Sequence, residues 1–243
     1  MAAARGKAKP GKKTAPSPVS AELAPKPPPA LGKPTETYEK LIAATRDLLG
    51  EIDFERLTTN VICTKAGLTP PAFYRYFRDK YDILEVLARQ LLKRQTDAQA
   101  LWLMQRDSWT ILENPGDFLE GWYRIAANIA ADEPGALWTM RALRAMPNLA
   151  HVRVESQREI TDRLFSFYRR ILTEVDPETL WARLRIRVEV GWVVDELAIE
   201  EDRLDHDLLF REAARLFDTP IVRKPASAGD QVDRSGEPIP AGR

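Results

Sequence analysis

Residues 57–80 constrain this chain more than any other stretch: Leu-Thr-Thr-Asn-Val-Ile-Cys-Thr-Lys-Ala-Gly-Leu-Thr-Pro-Pro-Ala-Phe-Tyr-Arg-Tyr-Phe-Arg-Asp-Lys. Thr58 sits where it can cap a helix, Gly67 can turn the chain, and Thr69-Pro70 opens a second short helix, since proline at the first helical position lacks only a donor that would be unpaired anyway. Two short helices joined by a glycine turn form a helix-turn-helix, whose second helix can enter the major groove of DNA. That second helix carries Phe73, Tyr74, Arg75, Tyr76, Phe77 and Arg78, with Lys80 just beyond. A buried helix has little use for two arginines among four aromatics, and a solvated helix has little use for the aromatics. A helix lying on a phosphate backbone uses both.

The aromatics divide by role, because one short helix cannot bury four rings against the same small domain. Phe73 and Phe77 are expected in the core, with Tyr74 and Tyr76 on the DNA side. Thr58 and Thr59 open the first helix of the pair, where a hydroxyl can donate to phosphate at the positive end of the helix. Base reading falls to Thr69, Pro70, Pro71, Ala72 and Arg75 at the start of the recognition helix, with Asn60 as a second candidate. Arg75 is the only long side chain among these able to grip guanine with two hydrogen bonds, and Pro71 or Ala72 can touch thymine methyls.

The ordered set of anchors resembles the TetR family of transcriptional regulators. It comprises an amphipathic segment at about 36–50, Phe54 before Leu57-Thr58-Thr59, Gly67-Leu68-Thr69, and Phe73-Tyr74-Arg75-Tyr76-Phe77 leading into Lys80-Tyr81-Asp82-Ile83-Leu84. The resemblance covers roughly residues 36–90. It implies that the Tyr74 hydroxyl and the Lys80 ammonium are phosphate contacts. Pro70-Pro71 departs from the commoner family pattern, removing two backbone donors. The resemblance also implies an all-α homodimer on a palindromic operator in double-stranded DNA, with a C-terminal helical domain for dimerisation and sensing of a small-molecule effector.

Helix punctuation agrees with an all-α chain. Pro34-Thr35, Thr58, Thr69-Pro70, Asp79, Asn114-Pro115, Asp132-Glu133-Pro134, Pro147-Asn148, Asp176-Pro177 and Asp205 each mark a start, giving about nine helices. Residues 184–190 alternate apolar and polar as a strand does. Read as a helix, 177–200 places Leu180, Trp181, Leu184, Val188 and Trp192 on one stripe, with Ile186, Val190, Val193 and Leu197 on another. A helix apolar on two sides is buried on two sides. With no neighbouring strand candidate, the helix is the expectation. Ile186, Val190, Gly191, Val193 and Leu197, joined by Leu209, Ala213 and Leu216, are then the expected dimer interface.

The domain plan that follows is a basic tail over 1–34, a three-helix DNA-binding domain over 35–82, a ligand-sensing and dimerisation domain over 83–218, and a second tail over 219–243. Residues 1–34 hold eight prolines, and seven Lys or Arg against one acid. Such a segment buries too little to offset its ordering entropy and is expected to be disordered. From residue 95 onward there are nineteen bases and twenty-six acids. Basic in front and acidic behind is the asymmetry of a chain that meets nucleic acid at one end.

The six tryptophans all lie beyond residue 100. On the family resemblance, Trp102, Trp122, Tyr123, Trp138, Arg141, Phe165 and Tyr168 are candidates for lining an effector cavity. His151 and His206 lack the spacing of a metal site, and no phosphate loop or nucleophile elbow appears. Neither a cofactor, nor a metal, nor an enzymatic activity is expected. Cys63 is the sole cysteine, which excludes an intrachain disulfide and suits a reducing, cytoplasmic setting. No apolar run approaches the ~20 residues of a membrane span, and no apolar run follows the N-terminal lysines as a secretory signal would require. Two rival readings remain open here: a ligand-independent DNA-binding dimer that relies on its basic tail, and an interaction protein that acts through its acidic C-terminal domain.

Overall fold

Local capping sets most helix starts in the computed structural model, which describes residues 35–106, 111 and 114–217. The expectations for the tails 1–34 and 219–243 lie outside those residues, as does Trp109. The described residues form nine α-helices and one short 3-10 turn, without a strand. Helix α1 spans Glu36–Glu51, with Thr35 accepting from the Tyr38 amide at 3.3 Å. Helix α2, Thr59–Ala66, begins where Thr58 accepts from the Val61 amide, and ends at Gly67 in the left-handed region with φ 65°. Helix α3 is the short recognition helix Pro70–Tyr74. Asp79 caps α4, Lys80–Met104, by accepting from the Tyr81 and Asp82 amides.

The remaining helices are α5 Pro115–Ala131, α6 Ala136–Ala145, α7 Ala150–Tyr168, α8 Pro177–Glu200 and α9 His206–Arg215. Asp176 and Asp205 cap α8 and α9 by accepting amide hydrogens two or three residues inside each helix. At Asp132-Glu133-Pro134 the expected start is displaced. The helix begins at Ala136, after Gly135 turns left-handed at φ 72°.

Two apolar cores share the long helix α4. The first gathers Leu41, Ile42, Leu57, Ile62, Phe73 and Phe77 of the front helices around Ile83, Leu84 and Leu91, and extends to Leu143, Leu149 and Trp192. Cys63 belongs to it. The second joins Leu103, Phe118, Trp122, Tyr123, Leu164, Leu180, Leu184 and Phe210. Between the front helices and the rest, the Glu133 carboxylate accepts from Arg46 Nε of α1 at 2.6 Å and pairs with Arg94 of α4.

Residues 184–190 are helical within α8, and Leu180, Leu184, Val188 and Trp192 are buried as one stripe. On its other side Ile186 and Val193 are 58% and 40% exposed, and on or just after α9, Leu208 and Leu216 are 46% and 70% exposed. Four residues expected on the dimer face need correction. A Cβ on Gly191 would lie 3.1 Å from the ring of this chain's own Tyr123, so this glycine admits an internal ring rather than a partner's backbone. Ala213 is buried in the second core. Val190 and Leu209 also pack, partly buried, against that core. Helical spacing shows that a residue is on an apolar face, but not which neighbour covers it.

The two left-handed glycines separate backbone strain from steric conflict. A Cβ on Gly67 meets nothing within 4 Å, whereas one on Gly135 would lie 2.8 Å from the Leu49 carbonyl carbon. Gly67→Ala is expected to cost about 1–2 kcal/mol, the left-handed penalty alone. Gly135→Ala adds overpacking against backbone of about 1–3 kcal/mol. Urea unfolding of the two variants side by side measures the difference; equal losses would mean that the α5–α6 turn yields freely around Leu49.

Candidate nucleic-acid interface and interior cavity

The start of α2 and the end of α3 meet at two hydroxyls. Thr59 Oγ1 lies 3.3 Å from the Tyr74 hydroxyl oxygen. Tyr74 is 50% exposed, its ring standing edge-on against buried Phe73. Thr58 spends its oxygen lone pair on the Val61 amide and keeps its hydroxyl proton to donate. Hydroxyls beside the positive end of a helix suit a phosphate oxygen. Asn60, Thr69, Pro70, Pro71 and Arg75 are exposed, and Ala72 is half-buried. Thr69 makes no side-chain cap to α3, which leaves its hydroxyl outside the helix hydrogen bonds.

Phe73 and Phe77 are fully buried as expected, but Tyr76 is buried beside them. Its ring packs against Tyr38, and its hydroxyl is 2.7 Å from Thr35 Oγ1. Tyr76 therefore ties α3 to the start of α1 instead of facing DNA. The two arginines of the motif also diverge. Arg78 grips Asp82 with Nε and Nη2 at 2.8 and 2.6 Å, and that hydrogen-bonded carboxylate raises its pKa. Arg75 extends from the surface with its guanidinium 5.9 Å from the Tyr76 ring. Lys80 lies 4.2 Å above the Phe54 ring and donates to the Phe54 carbonyl at 3.2 Å. Its ammonium has three donors, so that contact leaves capacity for a phosphate.

Behind this surface, a cavity of about 40 Å³ is lined by side chains of α4, α5, α7 and α8, among them Gln95, Gln99, Trp122, Tyr123, Gln157, Trp192 and Asp195. Of the expected cavity residues, Trp122 and Tyr123 are there. Trp122 also lines a groove of about 850 Å³ with Ala100, Leu103, Met104 and Ile160. The other five line neither space. Trp102 is held by Nε1 donating to the Phe118 carbonyl. Trp138 packs against the first core under Arg141, whose guanidinium pairs with Glu200. Phe165 packs against the second core, where Tyr168 is buried and its phenol pushed up to about 12. Aromatic content identifies residues that need burial, and most of these rings find it in ordinary core.

The polar residues of the cavity were not foreseen. Gln95 and Gln99 continue the buried stripe of Leu84, Ala88, Leu91 and Leu92 on α4, so the available signal was two glutamines at core positions four apart. Gln95 Nε2 donates to the Ala126 carbonyl and to Asp195 Oδ2, at 2.9 and 3.0 Å. Gln99 Nε2 donates to the Trp122 carbonyl. Among the described residues five buried side-chain atoms lack a hydrogen-bond partner, and three belong here: Gln99 Oε1, Gln157 Nε2 and Asp195 Oδ1. Leaving a buried polar atom unmatched costs about 1–3 kcal/mol, so the cluster weakens the fold.

Burial pushes the Asp195 carboxyl well above the ordinary carboxylate range; nearby Glu196 adds to the rise, and the Gln95 hydrogen bond opposes it. A carboxyl that stays protonated when folded but ionises when unfolded loses stability as pH climbs above its unfolded value of about 3.9. Asp195→Asn removes that loss. The variant is expected to match the parent in melting temperature near pH 4 and to exceed it by about 2 °C or more at pH 7, since roughly 1 kcal/mol moves a domain of this size by 2–4 °C. A variant less stable at pH 7 than at pH 4, relative to parent, would show Asp195 to be ionised in the fold.

Residues 41–87, from Leu41 in α1 to Leu87 in α4, match the family model for bacterial regulatory proteins of the tetR family. No curated protein matches the chain. Among solved structures, a putative TetR-family transcriptional regulator from Syntrophomonas wolfei superposes with a TM-score of 0.57 at 15% identity, covering 79% of this chain and 97% of that one. A tetR-family transcriptional regulator from Streptomyces coelicolor gives 0.56 at 16% identity, over 74% and 79% of the two chains. The fatty acid degradation regulator FadR from Bacillus halodurans gives 0.52 at 18% identity, over 76% and 96%. At such identities the superpositions speak to the fold, and the helix-turn-helix match speaks to the front domain. The front of the chain, residues 41–87, is thus similar to the DNA-binding region of the tetR family, and the described chain shares the all-helical fold of these regulators.

Proposed function

We propose that the protein is a dimeric transcriptional regulator, a repressor that binds a palindromic operator and leaves it when a small molecule occupies the C-terminal domain. The observation that carries the DNA part is the pairing of Thr59 and Tyr74 hydroxyls at the start of α2. On DNA, both hydroxyls and the α2 N-terminus serve one phosphate group, Lys80 turns from the Phe54 carbonyl to a second, and α3 presents Thr69, Pro70, Pro71, Ala72 and Arg75 to the bases. Asn60 flanks them from α2. Phosphates then fix position, and Arg75 supplies the long polar contact for reading.

Dimerisation rests on the exposed apolar side of α8 and α9. Ile186, Val193 and Leu216, with half-buried Leu197, give a face that water disfavours and a second copy can cover. Two recognition helices so joined must stand about 34–36 Å apart to read successive major grooves. A ligand preferring another spacing shifts the population away from the DNA-competent form.

Footprinting of the DNA upstream of the protein's own gene at ~0.15 M salt tests the reading, run with the full chain and with a version lacking residues 1–34. A bounded palindrome protected by both proteins is the expected result; protection that spreads, or that vanishes with the tail, favours a nonspecific binder. Tyr74→Ala is expected to weaken operator binding about tenfold or more, equivalent to roughly 1.4 kcal/mol. Lys80→Ala is expected to lower the slope of log affinity against log salt by about one per half-site. Unchanged binding in both variants would remove α2–α3 from the interface. For the dimer, Ile186→Glu combined with Val193→Glu is expected to halve the mass seen in sedimentation while leaving the helical circular dichroism intact.

A further inference from the structure

The interior cavity has a chemical bias. Its lining carries one ionisable carboxyl, Asp195, and no lysine or arginine. Asp195 is 5% exposed, Gln99 5% and Gln157 2%. The glutamine orientations are set by their partners. Gln99 turns its amide nitrogen onto the Trp122 carbonyl, so its oxygen is the atom left over. Gln157 Oε1 accepts from Arg153 Nη1 and Arg185 Nη2, so its nitrogen is left over. Both arginines also direct their charge onto Glu189, which is not part of the lining. The indole Nε1 of Trp192 donates to Glu196, which in turn pairs with Arg144.

Gln99 Oε1 and Asp195 Oδ1 thus lack a hydrogen-bond partner among three aromatic side chains, Trp122, Tyr123 and Trp192, and both are acceptors once Asp195 is ionised. Oxygen acceptors, one acid and aromatic faces suit a cation. An anion would meet an acid and no base. With about 40 Å³, the cavity holds a group of a few heavy atoms, more than the single water that about 10–15 Å³ admits. Trp122 and Ile160 line both this cavity and the groove of about 850 Å³, whose Ala100, Leu103 and Met104 present an apolar wall. A small polar chamber beside a groove with one apolar wall, bordered on α7 by Glu155, Arg158, Glu159, Asp162 and Arg163, has the shape of an amphipathic ligand.

We propose that the site takes a protonated organic amine, its ammonium held by Asp195 and Gln99 and its apolar chain or ring lying along the groove between α4 and α7. The proposal rests on the effector reading above and names the effector's chemistry. Gln157 Nε2 remains for an acceptor on the ligand, such as a hydroxyl next to the amine. Entry of a cation reverses the penalty on ionised Asp195, because the buried carboxylate then has a partner within the same low-dielectric space.

The test uses three probes with one chain length, n-octylamine, 1-octanol and octanoate, each titrated below its micelle-forming concentration against the full-length protein by calorimetry. Fluorescence of the cavity tryptophans is followed in parallel. Octylamine is expected to bind at least tenfold more tightly than octanol, and octanoate the least tightly. In Asp195→Asn the octylamine affinity is expected to fall tenfold or more while octanol is unchanged. Octanoate binding as tightly as octylamine, no binding by any of the three, or an Asp195→Asn protein that keeps its octylamine affinity would each overturn the proposal, and the unmodified-protein comparison stands even if a variant misfolds. Operator binding is measured on the same samples. Octylamine that binds through Asp195 without releasing DNA upholds the ligand class and refutes the release mechanism, so the two failures are told apart.

Discussion

One helix holds the molecule to a single design. The 25 residues of α4, Lys80–Met104, start at the Asp79 cap beside the recognition helix and run on through both apolar cores. Near the start, Ile83, Leu84 and Leu87 anchor the front domain. From Gln95 onward the same buried stripe turns polar and forms a wall of the interior cavity. At 1.5 Å per residue, Gln95 stands about 22 Å along the axis from Lys80. A helix is stiff over that distance, so a shift at one end is felt as rotation or translation at the other. Glu133 reinforces the link by holding Arg46 of α1 and Arg94 of α4 with one carboxylate that is itself 9% exposed.

The partly polar interior runs against stability. Three unmatched buried atoms around one small cavity are a cost that apolar side chains at positions 99, 157 and 195 together would avoid, since apolar replacement of poorly satisfied polar groups is often neutral or favourable. Natural cores that keep such groups tend to use them. This contrast separates the small cavity from the larger groove beside it. The groove between α4 and α7 pairs an apolar α4 wall with exposed charged side chains of α7, and by itself it is only a place where packing is incomplete. The cavity beside it holds buried polar atoms that nothing in the chain matches.

Much of the fold was legible because its determinants are local. Thr35, Thr58, Asp79, Asp176 and Asp205 each accept an amide hydrogen from the first turn of the helix they precede, a bond whose geometry involves three or four residues. The helix over 184–190 also followed from sequence, because Leu180, Leu184, Val188 and Trp192 fit a period of 3.6 over a longer span than the strand-like alternation does. The exceptions are nonlocal. Tyr76 faces the core because Tyr38 and Thr35, some forty residues earlier, come to meet it. Gly191 and Ala213 face inward because Tyr123 and the second core occupy the space assigned to a partner. The start of α6 slipped from Pro134 to Ala136 because Leu49 of α1 lies against Gly135. In the site, Thr59 and Tyr74 could be named but not paired, and Gln95, Gln99 and Gln157 become lining residues only where α5 and α8 cover them.

Helix α8 connects the parts in a way that makes the cavity more than a local curiosity. Asp195 and Trp192 are on its inner side, lining the cavity, while Val193, one of the two residues between them, is exposed on its outer side with Ile186. A group drawn into the cavity must therefore settle between α4 and α8. One of these leads to the DNA-binding end, and the other carries the proposed dimer face. Movement of α4 alone would tilt one recognition helix, and movement of α8 alone would alter how two copies meet. Because both helices wall the same small space, a ligand of the proposed kind would act on the two quantities, recognition-helix orientation and inter-subunit spacing, that the proposed dimer needs for two α3 helices to reach successive grooves of one duplex.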